Sequence, residues 1–96
     1  MKAYKHLVKF SLRQGMTISV WDGEEWAVSN ERSYRSIVDA IESVEEAQLR
    51  IKNTDKKEMG WALVIPFGLE DDETVADNTM TEFMNSWDEA YNLTLA

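Results

Sequence analysis

The chain has 96 residues, 44% of them hydrophobic and 10% aromatic, a composition typical of a folded domain rather than a disordered segment. The absence of cysteine excludes disulfides, thiol nucleophiles and thiolate metal ligands. A formal net charge of −8 argues against nucleic acid as a direct ligand, because proteins bind phosphate chiefly through lysine and arginine.

No apolar run approaches the ~20 residues that span a bilayer. The first ten residues, MKAYKHLVKF, also lack the continuous apolar block of a secretion signal. We therefore expect a single globular domain over residues 1–96 that is cytoplasmic and has no contact with a membrane.

The first predicted element is a helix from about Ala3 to Gln14. Its apolar face, at helical spacing, consists of Tyr4, Leu7, Val8 and Leu12. The opposite side carries a basic row, which consists of Lys2, Lys5, Lys9 and Arg13. Gly15 then offers the left-handed backbone conformation that ends many helices.

A hairpin is predicted next, in the segment MTISVWDGEEWAVS. Asp22 and Gly23 favour a two-residue turn whose twist matches that of the flanking strands. Such a turn pairs Trp21 with Glu24 near an exposed tip. The side chains expected to face the core are Ile18, Val20, Trp26 and Val28.

A second helix is predicted to begin after Ser33, whose hydroxyl can accept a hydrogen bond from a free amide, and to end near Ser43 or Val44. A strand with one wet face follows, because apolar residues alternate at Ala47, Leu49 and Ile51. The alternative is a helix that continues through Arg50, because VEEAQLR has good helix propensity.

The segment MGWALVIPF predicts a further strand that is buried on much of both faces, with Trp61 in the core. An acidic stretch, GLEDDETVADN, follows at residues 68–78. A third helix is then predicted, because Thr79 and Glu82 resemble a capping box. Its core-facing stripe consists of Met80, Phe83, Met84, Trp87 and Tyr91.

These elements follow the order αββαββα. The simplest packing is a two-layer α+β domain, with a four-stranded, mainly antiparallel sheet and the helices on one face. No residue-level repeat relates the two αββ halves.

Motifs for catalysis are missing from the sequence. There is neither a G-x-S-x-G elbow nor a glycine-rich phosphate loop, and His6 is the sole histidine. The acidic residues do not follow the spacing of a calcium-binding EF-hand loop. We therefore expect no catalytic, cofactor-binding or metal-ligating residues, and a protein that is not an enzyme.

Charge is distributed unevenly along the chain. All ten basic residues lie between Lys2 and Lys57, together with nine acids, so this part has a net charge of 10 − 9 = +1. From Glu58 onwards there are nine acids and no lysine or arginine, which gives −9. Repulsion among clustered carboxylates costs stability unless a partner uses them, although acidic residues also simply keep proteins soluble.

This acidic half is the predicted partner-binding surface. B-form DNA presents one phosphate per ~1.7 Å of its axis, and a rigid domain with clustered carboxylates presents a comparable field to proteins that bind nucleic acid. An exposed tryptophan would add an aromatic anchor. The predicted residues are Glu70, Asp71, Asp72, Glu73, Asp77, Glu82, Asp88 and Glu89, with Trp21 as the anchor.

Four segments, ISVWDGEEW, IVDAIESVEEAQLRI, GWALV and EFMNSWDEAY, resemble a group of small hypothetical proteins encoded by tailed bacteriophages. The resemblance implies a location in the cytoplasm of an infected bacterium. It also implies binding to a host protein such as a defence nuclease or the transcription machinery. It assigns no residue, because no catalytic motif is associated with the group.

Several functions remain open. The first is a phage accessory protein that inhibits or redirects a host protein with a basic surface, without catalysis. The second is a small-ligand or nucleotide-binding domain with a pocket between sheet and helices, and the third is a metal-assisted hydrolase that uses the carboxylates. A homodimer would form if the basic row of the first helix paired with the anionic half of a second copy.

Overall fold

The computed structural model describes residues 1–95 as three helices and five strands. The helices are α1 (Ala3–Arg13), α2 (Tyr34–Glu42) and α3 (Glu82–Leu95). The strands are β1 (Thr17–Trp21), β2 (Trp26–Glu31), β3 (Ala47–Lys52), β4 (Glu58–Val64) and β5 (Val75–Asn78). Within this part of the chain, no helix is long and apolar enough to cross a membrane.

The five strands form one antiparallel sheet in the order β2-β1-β3-β4-β5. The α+β class is therefore confirmed, whereas the predicted number of four strands is wrong. The strand that was missed is β5, which lies inside the acidic stretch. Its four residues lack an apolar alternation, and pairing with β4 makes them a strand.

The core lies between the helices and one face of the sheet. Buried residues alternate along β3 as predicted, at Ala47, Leu49 and Ile51, so the alternative of a helix through Arg50 is wrong. The helices contribute further buried side chains, among them Leu7, Val8, Ile37, Ile41, Met84 and Trp87. Full burial of one such aliphatic side chain stabilises the fold by about 1.5–3 kcal/mol.

Two of the predicted helix ends are confirmed. Gly15, just after α1, has a φ of 81°, and the Ser33 hydroxyl accepts a hydrogen bond from the Ser36 amide at the start of α2. The predicted cap of α3 is wrong. Thr81, rather than Thr79, accepts from the Met84 amide, at 3.3 Å.

Thr79 instead extends the pairing of β4 with β5. Its hydroxyl accepts from the Trp61 amide at 3.1 Å, and its own amide donates to the Trp61 carbonyl at 3.0 Å. Met80 therefore precedes α3 and is 82% exposed, so its predicted place in the apolar stripe is wrong. The rest of the stripe is buried as predicted, at Phe83, Met84, Trp87 and Tyr91.

The hairpin loop has four residues, not the predicted two. The Asp22 carboxylate accepts from the amides of Glu24 and Glu25, at 2.9 and 2.8 Å, and closes the loop. These hydrogen bonds lower the pKa of Asp22, and the bond from the Glu25 amide has the largest effect. Trp21 consequently pairs with Trp26, and the prediction that it pairs with Glu24 is wrong.

A register shift between Val20 and Trp21 then turns Trp26 away from the core. Val20 pairs with Val28, but Trp26 is 42% exposed, so its predicted inward orientation is wrong. Trp61 also lies outside the core cluster, contrary to prediction, because on β4 the core-facing positions are Gly60, Ala62 and Val64.

Close packing of α3 on β4 depends on Gly60. A Cβ atom at this residue would lie 2.5 Å from Cγ and 2.6 Å from Sδ of the fully buried Met84. We expect Gly60→Ala to lower the free energy of unfolding by about 1–3 kcal/mol through overpacking. Urea denaturation measures this loss.

The matched control is the same substitution in a Met84→Ala background, where the clash is absent. There the penalty of Gly60→Ala should shrink toward zero, as expected for residues in contact. An equal penalty in both backgrounds would contradict the packing explanation.

His6 joins α1 to α3. Its Nδ1 accepts a hydrogen bond from the Trp87 indole at 3.1 Å, and its ring meets the edge of Tyr91 with centroids 5.2 Å apart. Burial, followed by the positive charges of Arg13 and the N-terminal amino group, lowers the pKa of His6. Protonation of His6 Nδ1 would also remove the acceptor of the hydrogen bond from the Trp87 indole.

The stability should therefore depend on pH below neutrality. The unfolded chain takes up a proton near pH 6.5, before the folded protein does, so the free energy of unfolding should decrease as the pH falls from 7 toward 5. His6→Asn offers an acceptor that does not titrate and should flatten this dependence. Denaturation at several pH values tests it, and an unchanged slope in the variant would count against His6 as the cause.

Candidate partner-binding surface

The eight acidic residues of the predicted surface occupy consecutive elements at the β4–β5 side of the sheet. Four belong to the connection that includes the 3₁₀ turn Asp71–Glu73, one to the edge strand β5, and three to α3, which packs against β4. All eight are exposed. We call this set the acidic flank: Glu70, Asp71, Asp72, Glu73, Asp77, Glu82, Asp88 and Glu89.

The 3₁₀ turn Asp71–Glu73, called the acidic turn below, is held against the start of α1 by Thr74. Thr74 is fully buried. The Thr74 hydroxyl donates to the Asp71 carbonyl at 2.9 Å and accepts from the Tyr4 amide at 3.2 Å. The first turn of α1 has no acidic residue of its own. The carboxylates of the 3₁₀ turn therefore lie near the positive end of the α1 dipole, which offsets part of their mutual repulsion.

The same turn also lies near α3. Burial raises the pKa of Tyr91, and the negative charges of Asp72 and Asp71 raise it further. Asp88 precedes Tyr91 by three residues, less than one helical turn, so Asp88 is on the part of α3 nearest to Asp71 and Asp72. Glu82 lies farther away, because it precedes Asp88 by six residues, or ~9 Å along the helix axis.

Asp77 is on the edge strand, where it pairs with Leu63 of β4. Its carboxylate bonds locally, accepting from the Asn78 amide at 2.9 Å. Leu63 alternates with the buried positions Ala62 and Val64, so Asp77 lies on the face of the sheet away from the helices, whereas the α3 carboxylates lie on the helix layer. The acidic flank is thus spread around the β4–β5 edge of the sheet rather than gathered in a single cluster. Among residues 1–95, no group of three His, Asp or Glu side chains is arranged to hold a metal ion.

Among residues 1–95, no basic side chain forms an ion pair with this flank. The two ion pairs found among residues 1–95 are Lys5 with Glu42 at 3.7 Å and Arg50 with Glu58 at 2.7 Å. Lys2 Nζ donates to the Pro66 carbonyl at 3.0 Å instead of binding a carboxylate. The eight carboxylates therefore face solvent without a cationic side chain within ion-pair distance in the described part of the chain.

Trp21 is not part of this flank. It lies on β1, three strand spacings or ~14 Å from β5, and its neighbour across the hairpin is Trp26. The structure thus separates the predicted aromatic anchor from the predicted carboxylates. The role of Thr74, which positions the 3₁₀ turn Asp71–Glu73, was not predicted, because nothing in the segment DDET indicates that its threonine is buried.

A cavity of about 410 Å³ opens between α1 and α3. Its apolar lining comes from Phe10, Met59 and Phe83, and its polar lining from Gln14, Glu82 and Ser86. This volume is within the range of small-molecule pockets. The three polar residues, Gln14, Glu82 and Ser86, are all exposed, so they lie at the mouth of the cavity rather than at a buried centre.

The hydroxyl of Thr74 can be tested directly. Thr74→Val keeps the shape but leaves a buried amide at Tyr4 unpaired, and we expect the free energy of unfolding to fall by about 1–3 kcal/mol. Thr54→Val, in an exposed turn, is the matched control and should change it by less than about 0.5 kcal/mol. Chemical denaturation measures both, and similar values for the two would contradict the role of Thr74.

Comparison with known proteins identifies no relative of this chain. No protein-family model matches it, and neither does any curated protein or solved structure. The bacteriophage resemblance therefore stays a hypothesis.

Proposed function

We propose that this protein is a non-enzymatic accessory protein of the bacteriophage type that binds a host protein through the acidic flank. The partner has a basic surface of the kind that holds nucleic acid, and binding inhibits or redirects it in the cytoplasm of the infected cell. The observation that supports this proposal is the set of eight exposed carboxylates without a cationic side chain within ion-pair distance among residues 1–95.

The physical basis is long-range electrostatic attraction. Each free carboxylate contributes to a negative potential that guides a basic partner and raises the association rate. At physiological ionic strength the field extends ~8 Å, so binding should weaken as salt rises. A rigid scaffold favours this mode, because little conformational entropy is lost when carboxylates on helix and strand meet the partner.

Binding of a small ligand is the second candidate, and the cavity between α1 and α3 favours it. Its apolar walls suit a ring or an alkyl chain rather than a phosphate, because Glu82 would repel an anion. A metabolite that binds there would raise the melting temperature with little dependence on salt. Such a shift would replace the first proposal with this one.

The triple variant Asp71→Lys, Asp72→Lys and Glu73→Lys tests the acidic flank. Each substitution changes the charge by +2, and the partner isolated from bacterial lysate by the unmodified protein is titrated with both forms. We expect at least a tenfold loss of affinity, together with a steep salt dependence for the unmodified protein that the variant lacks.

The matched control changes four exposed residues outside the acidic flank, the hairpin loop and the α2–β3 connection to lysine, Ser29, Asp39, Thr54 and Asp55, for the same total change of +6. It alters the net charge equally and should reduce affinity much less. Circular dichroism and thermal melts verify that both variants fold. Equal losses of affinity in the two variants would mean that net charge alone explains the effect. Unchanged affinity in the variant of Asp71, Asp72 and Glu73 would refute the role of the acidic flank.

A further inference from the structure

The sheet face opposite the helices carries an unusual set of side chains. Half-buried Trp21 and exposed Trp26 meet edge to face, with ring centroids 5.2 Å apart and planes at 71°. The Trp61 indole donates to the Gln48 side chain at 3.2 Å on the neighbouring strands. A solvated face of an antiparallel sheet is normally polar, so a tryptophan cluster here indicates a surface for a partner.

Two cavities on this face share Trp21 and Gln48 in their linings. The first, of about 250 Å³, is lined by Trp21, Gly23, Glu46 and Gln48. The second, of about 210 Å³, is lined by Trp21, Trp26, Gln48 and Arg50. The first cavity, which Trp21, Glu46 and Gln48 line, is thus large enough for a side chain.

The charge of the two segments at this end of the sheet is uniformly negative. The hairpin loop and the connection between α2 and β3 contribute four exposed acids, none of which makes an ion pair among residues 1–95: Glu24, Glu25, Glu45 and Glu46. These two segments contain no lysine or arginine. Arg50, on β3, binds Glu58 at 2.7 Å.

We infer that the cavity of Trp21 and Glu46 binds the guanidinium group of an arginine from a basic partner protein. The guanidinium would stack on the Trp21 ring and donate hydrogen bonds to the Glu46 carboxylate, since its planar fork suits both. The second cavity already contains such a cation–π contact, because Arg50 Cζ lies 5.9 Å from the Trp26 ring centroid. The inference rests on the proposed function, because it names the side chain by which the basic partner is recognised.

Two other occupants fit less well. A second copy would meet a sheet face of roughly 24 × 20 Å from strand spacing and length, about 480 Å², which is less than the ~800 Å² per partner of a stable interface. Single-stranded nucleic acid stacks on tryptophan but needs cations along its backbone. The four exposed carboxylates of the hairpin loop and of the α2–β3 connection repel its phosphates.

The experiment uses the full chain labelled with ¹⁵N and the peptide acetyl-Gly-Arg-Gly-Arg-Gly-amide. The citrulline version of the peptide has nearly the same shape without the charge. The indole signal of Trp21 is assigned by its loss in Trp21→Phe. We expect this signal to shift in a saturable way with the arginine peptide and not with the citrulline peptide.

Glu46→Gln should weaken peptide binding by about threefold or more, the order expected for one exposed charge pair on an aromatic ring. Asp39→Asn, an equal change of charge on α2, should weaken it less. The triple variant at Asp71, Asp72 and Glu73 should leave the shift of Trp21 in place, so failure of the acidic flank and failure of this cavity are distinguishable.

Four results would overturn the inference. These are a Trp21 signal that the arginine peptide does not move, an equal response to citrulline, equal effects of Glu46→Gln and Asp39→Asn, or a Trp21 signal that shifts on dilution without any peptide. The last would identify a second copy as the occupant.

Discussion

The alternation of side chains along β3 and β4 is the constraint on which the other features depend. Because successive residues point to opposite faces, one face of the sheet can receive all three helices while the other stays open. The core-facing row of β4 contains the small residues Gly60 and Ala62, and α3 packs close to it through Met84. The same alternation places Trp61 and Gln48 on the open face.

The position of α3 in turn determines where the acidic residues lie. The chain leaves β4, passes through the 3₁₀ turn beside α1, adds β5 at the edge and enters α3. Of the nine acids from Glu58 onwards, eight follow β4 along this path. They therefore lie around the β4–β5 edge of the sheet, because the turn, the edge strand and the last helix follow one another in the fold.

The basic residues occur earlier in the chain and have contacts of their own. Lys2 binds a carbonyl, Lys5 binds Glu42, and Lys9 lies 5.3 Å from the Tyr34 ring centroid. The charge separation seen in the sequence is therefore retained in the fold. Two negatively charged surfaces result, the acidic flank around the β4–β5 edge and the cavity of Trp21 and Glu46 at the β1–β3 end of the open face.

Local sequence was sufficient for elements whose signals are short-range. Helical spacing predicted α1 and α2, Gly15 and Ser33 marked their ends, and alternation identified β3, because each signal depends on a few neighbouring residues. The exposure of the acidic residues also followed from their chemistry. Tertiary structure alone decided that β5 is a strand, that Trp26 and Trp61 lie outside the core, and that Thr74 holds the acidic turn. Those outcomes depend on strand register and on contacts between residues distant in the chain, which no local pattern of side chains encodes.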